Sequence, residues 1–158
     1  MKVLLTGANG FVGRYAIEMF DCAPLSIDGA AVDIRDDVAV QAAVRHIFKD
    51  TGFDAVIHLA AQSFVPESFK DPRTTFEINF TGTFNLLSAL KGVGFDGRMI
   101  FVGSGDVYGL IPSGMLPVAE DTSLRPRNPY AVSKVAAEAL CCQWSQTDGF
   151  EIMMARPT

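Results

Sequence analysis

Tyr130 and Lys134 stand four residues apart in the segment YAVSK, a spacing that places both side chains on one face of a helix. A tyrosine with its ordinary pKa of about 10 is a poor acid or base at neutral pH. A neighbouring ammonium group favours the phenolate, lowers that pKa and prepares the pair for general acid–base work. Ser104, which follows an apolar run, is the candidate hydroxyl to hold a substrate carbonyl oxygen. The three residues together predict proton transfer at a carbonyl, whereas the pair alone is also common on exposed helices.

A glycine-rich segment near the start of the chain predicts a phosphate-binding loop. Gly7, Gly10 and Gly13 follow the apolar run Lys2–Leu5 and open a predicted helix. Glycines there permit a tight turn, close approach of the backbone to a pyrophosphate and close helix–strand packing, and the helix N-terminus favours an anion. The spacing is G-x-x-G-x-x-G rather than the commoner G-x-G-x-x-G. A purely structural turn is the alternative, but the position between strand and helix favours nucleotide binding.

Two carboxylates are candidates to contact the adenosine part of a dinucleotide. Asp28 lies about 20 residues beyond the glycines, where a ribose-binding acid is often found. Asp33 ends the next predicted strand and is placed to meet the adenine amino group. A loop carboxylate or a helix cap is the alternative explanation for either residue, and for Asp28 it is an equally good one. No arginine follows a clear second strand, so the choice between NAD and NADP stays open.

Short apolar runs alternate with helical periodicity, which predicts an α/β fold: a Rossmann-type doubly wound parallel sheet in one domain, residues 1–158. The predicted strands are 2–5, 30–34, 55–60, 99–102 and 151–155, with a further short strand possible at 25–27. The predicted helices start near residues 11, 36, 71 and 130 and end near 20, 52, 92 and 146, with Asp36 or Asp37 and then Asp71 as predicted N-caps. Ligand sites in such sheets lie at the carboxyl ends of the strands, where Ser104 is expected. The long loop 103–129 is typical of a functional connection.

The amino-acid composition argues against several classes of binding partner. The 158 residues include 13 Lys and Arg against 18 Asp and Glu, a net charge of −5, which argues against a nucleic-acid or anionic-membrane surface. No apolar run approaches the roughly 20 residues of a membrane helix, and the N-terminus does not read as a signal peptide. Cys22, Cys141 and Cys142 form neither a disulfide framework nor a zinc motif, so we expect a reducing cytoplasm. His46 and His58 lack metal-ligand neighbours, and no metal site is predicted.

Seven segments of the chain match one family in order. They are TGANGFVG at 6–13, VDIRD at 32–36, HLAAQS at 58–63, INFTGTFNLL at 78–87, VGSGDVYG at 102–109, NPYAVSK at 128–134 and ARPT at 155–158. With these motifs the sequence resembles the extended short-chain dehydrogenase/reductase family, and within it the branch that acts on GDP-mannose derivatives.

The resemblance implies a set of site residues. The catalytic triad would be Ser104, Tyr130 and Lys134, with Tyr130 and Lys134 also touching the cofactor. The other residues implied to bind NAD or NADP are Gly7, Asn9, Gly10, Phe11, Val12, Asp33, Ile34, Leu59, Ala60, Ala61, Gln62 and Asn79. The residues implied to meet the sugar are Ser63, Ser104, Asp106, Asn128 and Tyr130. For Asn128 the N-cap of its helix is an equally good explanation.

The resemblance also implies an activity. It is the NAD(P)H-dependent reduction of the 4-keto group of GDP-4-dehydro-6-deoxy-D-mannose to GDP-D-rhamnose. Two alternatives stay open: a GDP-mannose 4,6-dehydratase or another nucleotide-sugar epimerase or dehydratase, and a non-catalytic NAD(P)-binding module. Dehydratases of this branch usually carry Glu at the position of Asp106, which favours the reductase. Homodimerisation through the helix after Asn128 and the 71–91 helix is implied too. The family is about twice as long, so we expect the C-terminal substrate part to be absent from this chain.

Overall fold

Five parallel strands form the central sheet of the computed structural model, which describes residues 1–158. In chain order the strands are β1 (Lys2–Thr6), β2 (Asp21–Pro24), β3 (Ser26–Ile27), β4 (Ala30–Ala31), β5 (Ala55–His58), β6 (Arg98–Val102) and β7 (Glu151–Ala155). The sheet order is β2-β1-β5-β6-β7, and β3 and β4 pair separately as an antiparallel hairpin. The chain therefore reverses direction across the sheet between β1 and β5. Ligands of open parallel sheets bind at such a switch point.

Six α-helices connect the strands. They are α1 (Phe11–Met19), α2 (Asp37–Asp50), α3 (Val65–Lys70), α4 (Pro72–Phe76), α5 (Gly82–Gly92) and α6 (Pro129–Thr147), with a π-helical turn at Glu77–Thr81 and 3₁₀ turns at Gly105–Tyr108 and Ser113–Met115. Asp36, Asp71 and Asn128 each accept a backbone N–H at the start of a helix, which confirms the caps expected from sequence. A search of these helices for one long and apolar enough to span a membrane finds no candidate.

The main core lies on one face of the sheet. Leu4, Val56, Met99 and Phe101 contribute from the strands, and the helices α2, α5 and α6 cover them. No residue of α1 belongs to this cluster. Right-handed crossovers place α1, which joins β1 to β2 in the opposite direction, on the other face. The sheet is thus covered from both sides, as predicted for a doubly wound fold.

One predicted strand is wrong. The segment predicted as a strand at 30–34 contributes only Ala30–Ala31, which pairs with Ser26–Ile27 rather than with the main sheet. Asp28 (φ +50°) and Gly29 (φ +79°) form the two-residue turn of this hairpin. The edge strand of the main sheet is instead β2, which pairs with β1. An edge position tolerates Pro24, whose missing N–H would interrupt a central strand.

The region predicted as one helix over 71–92 is divided. The π turn separates α4 from α5, and α3 precedes them where no helix was predicted. Asp71 ends α3, and its side chain caps α4 by accepting the Thr74 N–H at 2.9 Å. A π turn inside a helix frequently marks a functional site, and Asn79 lies within this one.

Candidate active site

The glycine loop between β1 and α1 is packed so closely that side chains would not fit. A Cβ on Gly7 would lie 2.7 Å from the Ala60 backbone nitrogen, and Gly7 has φ +71°. A Cβ on Gly13 would lie 2.3 Å from the Gly7 carbonyl oxygen. Helix α1 begins after Gly10 without a side-chain cap or an acidic residue in its first turn. Its N-terminal N–H groups and partial positive charge are therefore available for a phosphate group.

A cavity of about 660 Å³ opens beside this loop, at the switch point between β1 and β5. Its volume falls within the range of small-molecule sites, roughly 300–1,000 Å³. The predicted cofactor residues that line it are Gly7, Asn9, Gly10, Asp33, Ile34, Leu59, Ala60 and Ala61. The other predicted cofactor residues, Phe11, Val12, Gln62, Asn79, Tyr130 and Lys134, are not part of its wall. The side chains of Phe11 and Val12 are exposed, which leaves their backbone as the part that faces the loop.

Asp33 and its neighbours close one end of the cavity. The Arg35 guanidinium and backbone N–H donate to the Asp33 carboxylate, and these bonds hold the pKa of Asp33 below its usual range. Ile34 is buried, and Gly82 leaves it room: a Cβ there would lie 2.6 Å from the isoleucine side chain. Asp28 does not line this cavity and belongs to the hairpin turn. Between the two candidate acids, the structure therefore places only Asp33 at the cavity.

Tyr130 lies at the start of α6 and is buried, with 7% of its surface exposed. The Ser104 side chain lies near its hydroxyl. Burial raises the pKa of Tyr130, the nearby Ser104 hydroxyl opposes that shift, and the Asp106 carboxylate adds to it. Lys134, predicted to lower this pKa, is not among the groups that shift it in this structure. The phenol is therefore held in its protonated form.

Lys134 follows one turn later on α6 and is 5% exposed. Its Nζ donates to the Val102 carbonyl oxygen at 2.9 Å and lies 5.2 Å from the centre of the Phe101 ring. Burial lowers the pKa of Lys134 to about 8. The ammonium is thus anchored at the end of β6, next to Ser104.

A buried chain of hydrogen bonds runs through His58 at the end of β5. The Thr83 hydroxyl donates to the Asn79 carbonyl oxygen (2.7 Å), so it accepts from His58 Nε2 (3.0 Å). His58 Nδ1 then accepts from the Thr6 hydroxyl (2.7 Å), whose oxygen accepts the Ala60 N–H (3.0 Å). Burial lowers the pKa of His58 to about 3, so the ring is neutral. The network assigns the proton to Nε2 and ties the end of β1 to the π turn.

Asn79 connects that chain to the helix that carries Tyr130. Its side-chain oxygen accepts the Gln62 N–H at 2.8 Å, and its Nδ2 donates to the Gln62 carbonyl and to the Ser133 hydroxyl. The Ser133 hydroxyl in turn donates to the Tyr130 carbonyl at 2.6 Å. Gln62 and Asn79, predicted to contact the cofactor, therefore join the cavity wall at Ala61 to the first turn of α6.

The three polar residues predicted to meet the sugar, besides the triad, lie near the loop after β6 or the loop after β5. Asp106 is exposed in the 3₁₀ turn that follows Ser104, and Asn128 Nδ2 donates to it at 3.5 Å. Asn128 also caps α6 through the Ala131 N–H at 2.7 Å. Ser63 is exposed in the loop after β5. The structure thus brings Asp106 and Asn128 together beside Tyr130, and no hydrogen bond joins Ser63 to either of them.

Sequence reasoning missed several residues of the cavity. The additional lining residues are Thr6, Ala8, Ile17, Pro24, Leu25, Ser26, Gly29, Ala31, Val32, Arg35 and Ile78. Arg35 could have been found, since it stands two residues after Asp33 on the same turn. The lining residues near β2 could not have been found from the sequence, because the segment Asp21–Pro24 has no recognisable strand pattern.

These features fit a dinucleotide cofactor. The glycine cradle leaves the space that a Cβ would fill, the α1 N-terminus offers donors to a pyrophosphate, and the cavity extends from there toward Asp33. The predicted triad lies at the same edge of the sheet, after β6 and at the start of α6. The arrangement can hold a dinucleotide and place an acid and a hydroxyl donor beside it.

The sequence of this chain is similar to a family of NAD dependent enzymes and to individual members of it. Residues 3–158 match the NAD dependent epimerase/dehydratase family. The chain is 44% identical over 156 residues to a GDP-6-deoxy-D-mannose reductase of Pseudomonas aeruginosa, covering 99% of this chain and 51% of that protein. It is 32% identical over 170 residues to a UDP-glucose 4-epimerase of Lactobacillus helveticus, with 99% and 51% covered.

Solved structures agree with the sequence relatives. The structure of RMD from Pseudomonas aeruginosa complexed with NADPH superposes with a TM-score of 0.88 at 42% identity, over 99% of this chain and 53% of that one. A Thermus thermophilus UDP-glucose 4-epimerase in complex with NAD gives a TM-score of 0.84 at 31% identity, over 99% and 54%. The chain thus spans about half the length of the relatives that it matches. With the glycine cradle, the parallel sheet and the match over 3–158, the chain belongs to the NAD dependent epimerase/dehydratase family.

Proposed function

We propose that this chain is the cofactor-binding half of an NAD(P)H-dependent reductase that converts GDP-4-dehydro-6-deoxy-D-mannose to GDP-D-rhamnose. The observation that carries the proposal is the buried Tyr130 phenol beside Ser104, at the sheet edge that also holds the glycine cradle. The 44% identity to a GDP-6-deoxy-D-mannose reductase supports the substrate class. Asp106 and Asn128, which meet beside Tyr130, are the proposed contacts to the sugar, with Ser63 as a third.

The proposed roles follow from the protonation states. A reduced nicotinamide cofactor, held by the glycine loop and the cavity beside it, would supply the hydride. Tyr130 donates its proton to the oxygen of the reduced carbonyl, and its raised pKa keeps that proton in place beforehand. The Ser104 hydroxyl donates a hydrogen bond to the same oxygen, and Lys134, one turn along α6, is the proposed contact to the bound cofactor. General acid help of this kind contributes about 10²–10⁴-fold to the rate.

The substitution Tyr130→Phe in the complete protein tests this assignment. We expect kcat for the keto-sugar to fall by about 10²-fold or more, while the Kd for NADPH measured by calorimetry stays within about threefold. Tyr15→Phe, at an exposed tyrosine on α1, is the matched control and should leave kcat unchanged. Wild-type turnover by Tyr130→Phe would remove the proposed role of the phenol.

A GDP-mannose 4,6-dehydratase would use the same phenol, hydroxyl and ammonium. Incubation of the complete protein with GDP-mannose and NADP distinguishes the two, because only a dehydratase forms the 4-keto sugar from it. Binding of NADPH without turnover of either sugar would instead indicate a non-catalytic module.

We also propose that the complete protein is a cytoplasmic homodimer, joined through α5 and α6. Phe84 on α5 and Val132 on α6 are large apolar side chains that remain 45% and 41% exposed. All three cysteines are free, in keeping with a reducing compartment.

A further inference from the structure

Arg156 is the first residue after β7, and all three nitrogens of its guanidinium group donate hydrogen bonds. Nε donates to one Glu138 carboxylate oxygen at 3.0 Å, and Nη2 pairs with the other. Nη1 donates to the Tyr108 hydroxyl at 2.6 Å and to the Glu120 carbonyl oxygen at 2.9 Å. The Glu138 side chain is 7% exposed and that of Arg156 18%. A buried bidentate pair of this kind leaves an unbalanced buried charge when either partner is removed.

The pair lies next to the proposed triad. Glu138 is one helical turn beyond Lys134 on α6, on the same face. Gly103 N–H donates to the Ala155 carbonyl and Gly105 N–H to the Pro157 carbonyl, both at 2.7 Å. The two neighbours of Ser104 in the chain are therefore hydrogen-bonded to the two neighbours of Arg156.

The Glu138 carboxylate and the Lys134 ammonium approach neighbouring peptides at the end of β6. Lys134 Nζ is bonded to the Val102 carbonyl, and a Cβ built on Gly103 would lie 3.6 Å from Glu138 Oε2. Without another partner, a buried carboxylate one turn away would attract this ammonium.

Other titratable groups also surround Lys134. Tyr130 and Cys141 lie on its own helix, and His58 faces it from β5. At neutral pH all three are uncharged, since burial raises the pKa of the phenol and of the thiol and lowers that of the imidazole. Glu138 therefore supplies the negative charge of this group, and Arg156 is the cation that compensates it.

We propose that Arg156 is a positioning residue for the triad: by holding the Glu138 carboxylate, it keeps that charge from pairing with Lys134, whose ammonium stays on the Val102 carbonyl. This inference rests on the proposed function, because it concerns the lysine placed in the triad there. In the absence of Arg156, the free carboxylate favours the charged lysine and draws Nζ away from the end of β6.

The test is an NMR titration of Lys134 in the complete protein, read from its ε-methylene signal and assigned by loss of that signal in Lys134→Met. In Arg156→Met we expect the pKa of Lys134 to rise by at least about one unit, a tenfold change in proton affinity. The kcat should fall about tenfold or more with little change in KM. In the double variant Arg156→Met/Glu138→Gln, both values should return most of the way to wild type.

Two further variants keep the proposal testable if Arg156→Met does not fold. In Glu138→Gln alone, the pKa of Lys134 should fall, because the buried Arg156 cation is then left without its carboxylate partner. Tyr108→Phe removes one bond to Arg156, keeps the ion pair, and should leave the pKa of Lys134 unchanged.

The outcomes separate this proposal from the proposed function. The role of Arg156 would be overturned by an unchanged Lys134 pKa in Arg156→Met, by no recovery in the double variant, or by a Lys134 pKa that does not fall in Glu138→Gln. The titration does not require turnover. Wild-type activity of Tyr130→Phe would therefore refute the proposed reaction while leaving the titration result interpretable.

Discussion

The proposed proton donor owes its chemistry to its surroundings. Burial raises the pKa of Tyr130 and keeps the phenol protonated, while the nearby Ser104 hydroxyl opposes the shift. The residue types and their four-residue spacing predicted the pair, because they depend only on helical periodicity. The direction of the pKa shift could not be predicted, because it follows mainly from the burial of the phenol, which the tertiary structure sets.

His58 predicts a pH dependence of stability. Unfolded imidazole binds a proton below its usual pKa of 6.5, whereas in the folded protein this pKa is about 3. Between these values the unfolded state binds more protons, so the free energy of unfolding falls as the pH drops, by about 1.4 kcal/mol per pH unit from this group. In His58→Gln this contribution is lost, and the unfolding free energy should depend less steeply on pH between 4.5 and 6.5.

Urea unfolding of the complete protein at several pH values measures this difference. His46→Gln is the matched control, since His46 is an exposed histidine on α2, and the wild-type slope should persist in it. Equal slopes for wild type and His58→Gln would contradict the assignment of a neutral, buried ring.

At the scale of elements, the glycine loop between β1 and α1 is the junction with the least room for added side-chain atoms. In Gly13→Ala the new methyl group would meet the backbone oxygens of Gly7 and Ala8 at 2.3 and 2.7 Å, and neither can move without opening the loop. We expect the Kd for NADPH, measured by calorimetry, to rise at least about tenfold, or 1.4 kcal/mol. Gly92→Ala is the control, because a Cβ there has no atom within 4 Å, and its Kd should match that of wild type. Tight binding by Gly13→Ala would place the cofactor elsewhere.

The proposed dimer makes its own prediction at α6. Val132→Asp places a charge on the exposed apolar part of this helix, and we expect light scattering after gel filtration to show a monomer. Val38→Asp makes the same change on α2, at a side chain 77% exposed, and should leave the mass unchanged. A dimeric Val132→Asp variant would exclude this helix from the interface.

The elements that sequence predicted well are those with strong local signals. The apolar strands β1, β6 and β7 and the caps Asp36 and Asp71 belong to this group, as both are set by neighbouring residues. Strand β2 reads DCAP and becomes a strand only by pairing with β1, which is a tertiary effect. The hairpin that replaced the strand predicted at 30–34 did carry a signal, Asp28-Gly29, a dipeptide typical of two-residue hairpin turns.

For the whole molecule, the two faces of the sheet are covered unequally. Opposite the main core, Ile57 and Ile100 are half-buried, and Met153 is 52% exposed. Relatives are about twice as long, and we expect the complete protein to cover this surface. The 158-residue polypeptide purified alone should therefore bind more anilinonaphthalene sulfonate, read by fluorescence, than the complete protein. Equal fluorescence per mole would show that this surface stays open in both.

The buried hydrogen bonds from Thr6 through His58, Thr83 and Asn79 to Ser133 connect the glycine loop to the helix of the proposed proton donor. Each bond is inaccessible to water, so a local opening that breaks one leaves its neighbours without partners. Amide hydrogen exchange should therefore report a single cooperative unit, with the β1 end and the first turns of α6 exchanging at the same rate. A local opening of the glycine loop would then also displace Tyr130, the proposed proton donor, in the same event.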